Sequence, residues 1–228
     1  MSDSCGMDDK NSSCCSNPNE EAKNLGEYWC DIYTDVDIST LGWYEKESKP
    51  SLELITQCGL PKNAKMFNPG CGASTLIDSL LALDYSNLIA NDISSCALNK
   101  IKKRIGTKAE QVQWYVEDLI NPNDLLDLPQ LDLWHDRAVL HFFIDEKEQN
   151  TYFNLLKQKV KNKGFVILAT FNLQGATTCS GLPVKRYNTK MLQDKLGINF
   201  KLIQNFDYIY TMPNGEVRAY VYTLFQRN

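Results

Sequence analysis

From Leu25 onward, short apolar runs of strand length alternate with longer stretches whose apolar positions recur at helical spacing. Residues 64–68, 88–91, 112–116, 131–135 and 165–171 read as strands, and residues 51–58, 74–83, 95–105 and 146–160 as helices. Pro50 stands at the start of the 51–58 helix, and Gly59 and Pro61 end it. Such alternation predicts an α/β fold, a parallel sheet with helices on both faces. The chain finishes differently. Residues 200–211 and 217–226 are two strand-like runs joined by Met212-Pro213-Asn214-Gly215-Glu216, and Asn-Gly is a tight-turn signal, so the last strand must run antiparallel to its neighbour.

Residues 1–24 carry Ser, Asn, Asp and Lys with scarcely any large apolar side chain, too little to offset the entropy of ordering them. They are expected to form a disordered leader, leaving residues 25–228 as one domain, in keeping with a length of 228 residues. An aromatic-rich stretch opens that domain: Tyr28-Trp29-Cys30-Asp31-Ile32-Tyr33, then Leu41-Gly42-Trp43-Tyr44.

The net charge of −4 supplies no broad basic field for nucleic acid. There is no apolar run of membrane-spanning length and no basic, apolar signal segment at the N-terminus, so a soluble, cytoplasmic protein without membrane contact is expected, and a monomer. Eight cysteines without an export signal are read as reduced thiols, with Cys58, Cys71 and Cys96 acting as small apolar residues in regular elements. With His135 and His141 the only histidines, no zinc-ligand spacing exists and no metal is expected.

In an open α/β sheet, ligands bind beyond the carboxyl ends of the strands. The first strand ends in Asn68-Pro69-Gly70-Cys71-Gly72-Ala73-Ser74, where glycines allow a sharp turn and close approach of backbone to ligand. Ser74 or Thr75 can cap the helix that follows. The second strand ends at Asp92, 20 residues after Gly72, and a carboxylate there can accept from both hydroxyls of a ribose. The third ends in Glu117-Asp118-Leu119, where a carboxylate can accept from the exocyclic amine of adenine, and the fourth in His135-Asp136-Arg137. Taken singly, each has a plain alternative: a tight turn at the glycines, a helix cap at Asp92, a turn before Pro122 at Asp118. Their joint placement points to a nucleoside-bearing cofactor. A dinucleotide fits poorly, because Thr75 occupies the third glycine position of its fingerprint.

From about Tyr28 to Arg227 the chain resembles the class I S-adenosylmethionine-dependent methyltransferases. The resemblance implies a Rossmann-like three-layer sandwich around a mostly parallel seven-stranded sheet with an antiparallel strand from a C-terminal hairpin. It departs from the family pattern at Asn68, where a carboxylate is usual, and at Ser74, where a third glycine is often found. Carried onto this chain, it implies that S-adenosylmethionine is bound by Asn68, Gly70 and Gly72 at the turn, Asp92 and Ile93 at the ribose, Asp118 and Leu119 at the adenine, and His135 beside the methyl. Trp29 is assigned to closure over the donor, while Trp43 is equally well read as core.

The implied function is methyl transfer to a small molecule or a protein lysine. Departures at Asn68 and Ser74 leave a second reading, a donor-binding scaffold without catalysis. A third is a thiol or metalloid acceptor, using Cys179 with Cys5, Cys14 and Cys15. A general base is needed only for a protonated nucleophile; His135, Asp136 and His141 are candidates, none is assigned, and His141 reads as structural. Arg137 is read as pairing with the donor carboxylate or with Asp136. The loop over residues 172–187 is expected to bind the acceptor.

Overall fold

The computed structural model describes residues 24–228; the leader expected over residues 1–24, with Cys5, Cys14 and Cys15, lies outside them except for Asn24. Asn24 caps the first helix: its side chain accepts from the backbone N–H groups of Gly26 and Glu27. The elements in chain order are α1 (Leu25–Asp35), α2 (Lys49–Gln57), β1 (Met66–Asn68), α3 (Leu76–Ala82), β2 (Leu88–Asp92), α4 (Ser95–Ile105), β3 (Val112–Val116), β4 (Leu131–Arg137), α5 (Glu146–Lys159), β5 (Val160–Phe171), β6 (Thr178–Cys179), β7 (Leu182–Pro183), α6 (Thr189–Leu196), β8 (Phe200–Thr211) and β9 (Val217–Arg227).

Seven strands form one sheet in the order β3-β2-β1-β4-β5-β9-β8, and β6 pairs only with β7. Neighbours are parallel from β3 to β5; β9 is antiparallel to both β5 and β8. The expected α/β sandwich is thus observed, with the terminal hairpin inserting its last strand beside β5. Strand order reverses between β1 and β4, which opens the crevice at the switch point where such sheets bind ligands.

Side chains divide between the faces with period two. Met66, Leu88, Leu133 and Ile167 join α2, α3 and α4 in one core, while Phe67, Ile89, Trp134 and Val166 join α5 and α6 in the other. Burial on both faces explains the apolar runs of the central strands. A third, smaller cluster of Tyr33, Leu41, Ala73 and Ala97 lies where α1 and the segment after it cover the glycine turn.

Three features depart from the sequence expectation. The aromatic stretch at 25–35 is a helix, residues 189–196 form α6, and β5 begins at Val160, where the last turn of the expected 146–160 helix was drawn. The third has a packing cause: Val160 pairs with Leu131 across an irregularity in β4, so the buried chain leaves the helix directly into the sheet. The expectation that all cysteines are reduced is corrected at one pair: Cys30 of α1 and Cys96 of α4 are joined in a disulfide, Cα–Cα 5.1 Å. Cys71 is a free thiol in the glycine turn, outside any regular element. No helix among the described residues is long and apolar enough to cross a membrane.

Candidate donor and acceptor site

A cavity of about 360 Å³ lies over the switch point, and all the residues assigned from sequence line it: Trp29, Asn68, Gly70, Gly72, Asp92, Ile93, Asp118, Leu119 and His135. The glycine turn sets its floor. Gly70 and Gly72 hold φ +50° and +56°, a left-handed conformation that side chains rarely adopt. A Cβ at Gly70 would run into Val139 and one at Gly72 into the Tyr33 hydroxyl, so both positions need hydrogen for space as well as for backbone freedom.

The strand ends are tied together by Asn91 and Asp92. Asn91 accepts from Cys71 N–H through its carbonyl at 2.8 Å, and its side-chain amide donates to the carbonyls of Tyr115 and Glu117 at 3.2 and 2.8 Å. Asp92 accepts from the N–H of Gly72 at 2.7 Å and of Ser94 at 2.9 Å. Burial pushes its carboxyl up to about 6 even so. The helix-cap alternative for Asp92 is therefore partly realised, yet the cap of α4 itself is Ser94, which accepts from Ala97 N–H at 3.2 Å. Asp118 also makes its local turn, accepting from Ile120 N–H at 3.0 Å and from the Asn121 amide at 2.9 Å. Glu117 also lines the cavity, but its carboxylate is engaged by its own loop, accepting from the N–H groups of Asp124 and Leu125. Of the two proposed caps for α3, Thr75 holds the N-cap position but its hydroxyl makes no cap bond, donating instead to the Glu45 carbonyl at 2.9 Å, while Ser74 accepts from Leu76 N–H at 3.1 Å just before the helix.

At the end of β4, the three polar residues have separate fates. Asp136 is structural: it accepts from Val139 and Leu140 N–H and from the Tyr152 hydroxyl at 3.0, 3.1 and 2.6 Å, closing the turn in which Ala138 adopts φ 68°. His135 lines the cavity, and burial together with Arg137 pulls its imidazole down to about 3, so it is neutral. Arg137 does not bridge to Asp136, the second of the two partners expected for it. Its Nε donates to the Tyr222 hydroxyl at 3.1 Å, its Nη1 to the Trp43 carbonyl at 3.0 Å, and Glu45 lies 3.2 Å from Nη2. Glu45 was not singled out from sequence, where it is one of several charges in a loop; only the fold sets it against Arg137. His141 lies outside the cavity wall, between the rings of Phe142 and Phe171, each 4.6 Å away.

Three segments roof the cavity. Trp29 and Tyr33 come from α1, Trp43 and Tyr44 from the loop that follows, and Cys179, Leu182 and Pro183 from the β6–β7 hairpin inside the 172–187 loop. Trp29 packs edge-on to Trp43 at 5.8 Å and to Phe142 at 5.2 Å, and Trp43 Nε1 donates to the Tyr33 hydroxyl at 3.2 Å. The Tyr28 hydroxyl donates to the Ser180 carbonyl and the Tyr210 hydroxyl to that of Tyr44, tying helix α1 to the hairpin and the loop to β8. Burial raises the Cys179 thiol to about 11, which keeps it protonated. Among the described residues no group of three or more His, Cys, Asp or Glu side chains gathers as a metal site.

The arrangement meets a simple test of fit for a nucleoside cofactor bearing an amino-acid portion. Both side-chain polar atoms of Asn68 and Nε2 of His135 are buried without a hydrogen-bond partner, and both residues line the cavity. Unpartnered buried polar atoms beside a glycine turn are what a polar ligand would satisfy.

No family model and no curated protein matches the chain. Solved structures do share its fold. An S-adenosylmethionine-dependent methyltransferase from Anabaena variabilis aligns with TM-score 0.72 at 12% identity, over 89% of this chain and 93% of that one. The N-methyltransferase NodS from Bradyrhizobium japonicum, solved with S-adenosyl-L-homocysteine, aligns with TM-score 0.66 at 14% identity, over 89% and 97%. Magnesium protoporphyrin IX methyltransferase from Synechocystis, solved with S-adenosylmethionine, aligns with TM-score 0.57 at 15% identity, over 79% and 77%. The chain therefore has the Rossmann-like fold of S-adenosylmethionine-dependent methyltransferases.

Proposed function

We propose that this protein is an S-adenosylmethionine-dependent methyltransferase acting on a small molecule. The observation that carries the reading is the convergence of four successive strand ends on one roofed cavity at the switch point, each bringing the residue type that a different part of the donor requires. Asn68 would hold the donor's amino-acid portion, its Oδ1 accepting from the ammonium and its Nδ2 donating to the carboxylate. Asp92 would accept from the ribose hydroxyls, and Asp118 from the adenine amine with Leu119 packed beside it. Trp29, Tyr33 and Trp43 offer aromatic faces toward which a sulfonium is attracted.

When bound, the donor supplies a methyl group already activated by its positive sulfur. The residues of the chain have to align the acceptor and keep water out. The tied roof serves both ends. It also favours a small acceptor over a lysine on a folded protein, whose side chain would have to thread past helix, loop and hairpin at once. The magnesium protoporphyrin IX methyltransferase is named for a small acceptor, and the same broad class of acceptor is proposed here.

Calorimetric titration with S-adenosylmethionine, S-adenosylhomocysteine and NAD tests the reading. The first two are expected to bind and NAD not to. Failure of both to bind sinks it; binding without turnover across a broad panel of small amines, acids, phenols and thiols would favour the scaffold alternative.

A further inference from the structure

Arg137 is bound in an unusual way for a buried arginine. A guanidinium carries five N–H donors and stays charged under all ordinary conditions. Here two of its nitrogens are spent on neutral partners, the Tyr222 hydroxyl and the Trp43 carbonyl, and the rings of Tyr210 and Tyr220 lie 5.1 Å from its central carbon. Nη2 is left over. Glu45 Oε1 stands 3.2 Å from it, but the two are not aligned as a hydrogen bond, and Nη2 is buried with no hydrogen-bond partner.

The ion pair is thus electrostatic only, in a place where both charges have lost their water: the side chains are 11% and 7% exposed. Burial works against Glu45 ionisation in spite of Arg137, with Ser48 its other polar neighbour, whereas the tyrosines and Glu45 more than offset what burial takes from the guanidinium. A permanent cation with an unused donor stands opposite a carboxylate that makes no hydrogen bond to it. Both residues line the cavity, whose wall on the roof side is otherwise apolar, made of Trp43, Tyr44, Cys179, Leu182 and Pro183.

Resting on the methyl-transfer reading of this cavity, we propose that Arg137 is the anchor for a carboxylate on the acceptor, so that the substrates are small, largely apolar carboxylic acids. The incoming carboxylate takes Nη2 in place of Glu45, and its apolar body lies against the aromatic and aliphatic wall. Glu45 then acts as a gate of charge: it stabilises the empty site and competes with the ligand. This gives the two residues opposite signs, which a merely structural ion pair would not have.

The test uses protein saturated with S-adenosylhomocysteine and calorimetric titration with matched pairs, 3-phenylpropionate against 3-phenylpropanamide and indole-3-acetate against indole-3-acetamide. In at least one pair the acid is expected to bind about tenfold or more tighter than the amide. Glu45→Gln should tighten the acid severalfold, and Arg137→Gln should erase the preference while S-adenosylhomocysteine affinity is retained. If Arg137→Gln does not fold, Glu45→Gln carries the test alone. Equal behaviour of acid and amide in every pair overturns the proposal, and so does weaker acid binding in Glu45→Gln. Selective binding of 3-phenylpropylamine also overturns it, pointing to Glu45 as the anchor for a cation. Failure of the wild-type protein to bind S-adenosylhomocysteine strikes at the donor reading instead, and is seen before any acid is added.

Discussion

The carboxylate of Asp92, at the end of β2, accepts the backbone N–H of Gly72 at 2.7 Å, so the acidic group assigned to the ribose also holds the glycine turn in place. Burial, with the charge of Asp92 added to it, pushes up both Tyr33 and Cys71, which stay protonated, while Asp92 is the group that titrates.

Donor affinity should therefore follow the ionisation of Asp92. The carboxylate is the form that accepts from two hydroxyls, and burial raises its protonation to about pH 6 in the free protein. Affinity for S-adenosylhomocysteine is expected to be flat above that pH and to fall about tenfold per unit below it, because the proton must first be removed. The effect on folding has the opposite sign: a carboxyl raised above its unfolded value contributes stability at low pH that is lost as pH rises through about 6. Asp92→Asn should flatten the affinity profile, and Asp92→Ala should cost about 1.5–3 kcal/mol in donor binding. Unchanged affinity at neutral pH in both variants would make Asp92 a brace for the turn and nothing more.

The glycine turn can be tested separately from its ligand. A methyl at Gly70 meets Val139 and forces an unfavourable φ, so Gly70→Ala should destabilise by about 1–3 kcal/mol. Trimming the clash with Val139→Ala in the same chain should recover part of that loss, the steric part, and leave the backbone part. A double-mutant cycle by urea unfolding reads the coupling directly. Simple additivity of the two substitutions would show that the turn yields to the added methyl in some other direction.

How much of this was legible beforehand follows the range of the interactions. Strand ends, the glycine turn and the terminal hairpin are local patterns, and the Asn214-Gly215 turn alone implies that β9 runs against β8. Each residue assigned to the donor also reached the cavity, because strands in one parallel sheet necessarily bring their carboxyl ends to one edge. Helix α1 was hidden by its aromatic composition, which reads as readily as strand or lid, and α6 by the long loop before it. The Glu45–Arg137 pair and the Cys30–Cys96 bond join residues far apart in sequence, and no local pattern specifies them.

His141 offers a change expected to stabilise. Both ring nitrogens are buried without a partner, and burial together with Arg137 pulls the imidazole down to about 3. An unfolded histidine protonates near pH 6.5, so this residue's contribution is present above that value and is lost progressively as pH falls toward 3. His141→Phe, set between Phe142 and Phe171, removes both the unpaired nitrogens and the proton. Stability at neutral pH should rise by about 1 kcal/mol, and the gap between urea midpoints at pH 7 and pH 5 should narrow. A gap as wide as in the parent protein would mean that the ring is hydrogen-bonded after all.

The bond between Cys30 and Cys96 makes the strongest demand on the roof. It closes a loop with a sequence separation of 66 and fastens α1, which carries Trp29 and Tyr33 over the site, to α4, which begins just beyond Asp92. By loop-closure entropy alone such a link stabilises by about 4 kcal/mol. Cys30→Ser and Cys96→Ser should each lower the urea midpoint under oxidising conditions, by similar amounts, and the double variant should lower it no further, since either change removes the same bond. Adding a dithiol reductant should bring the parent protein down to the variants and loosen S-adenosylhomocysteine binding with it, because the aromatic roof is no longer pinned beside the ribose site. If the reductant leaves the midpoint of the parent protein where it was, the two sulfurs are thiols in solution, and α1 is held by its aromatic packing and by the Tyr28–Ser180 hydrogen bond alone.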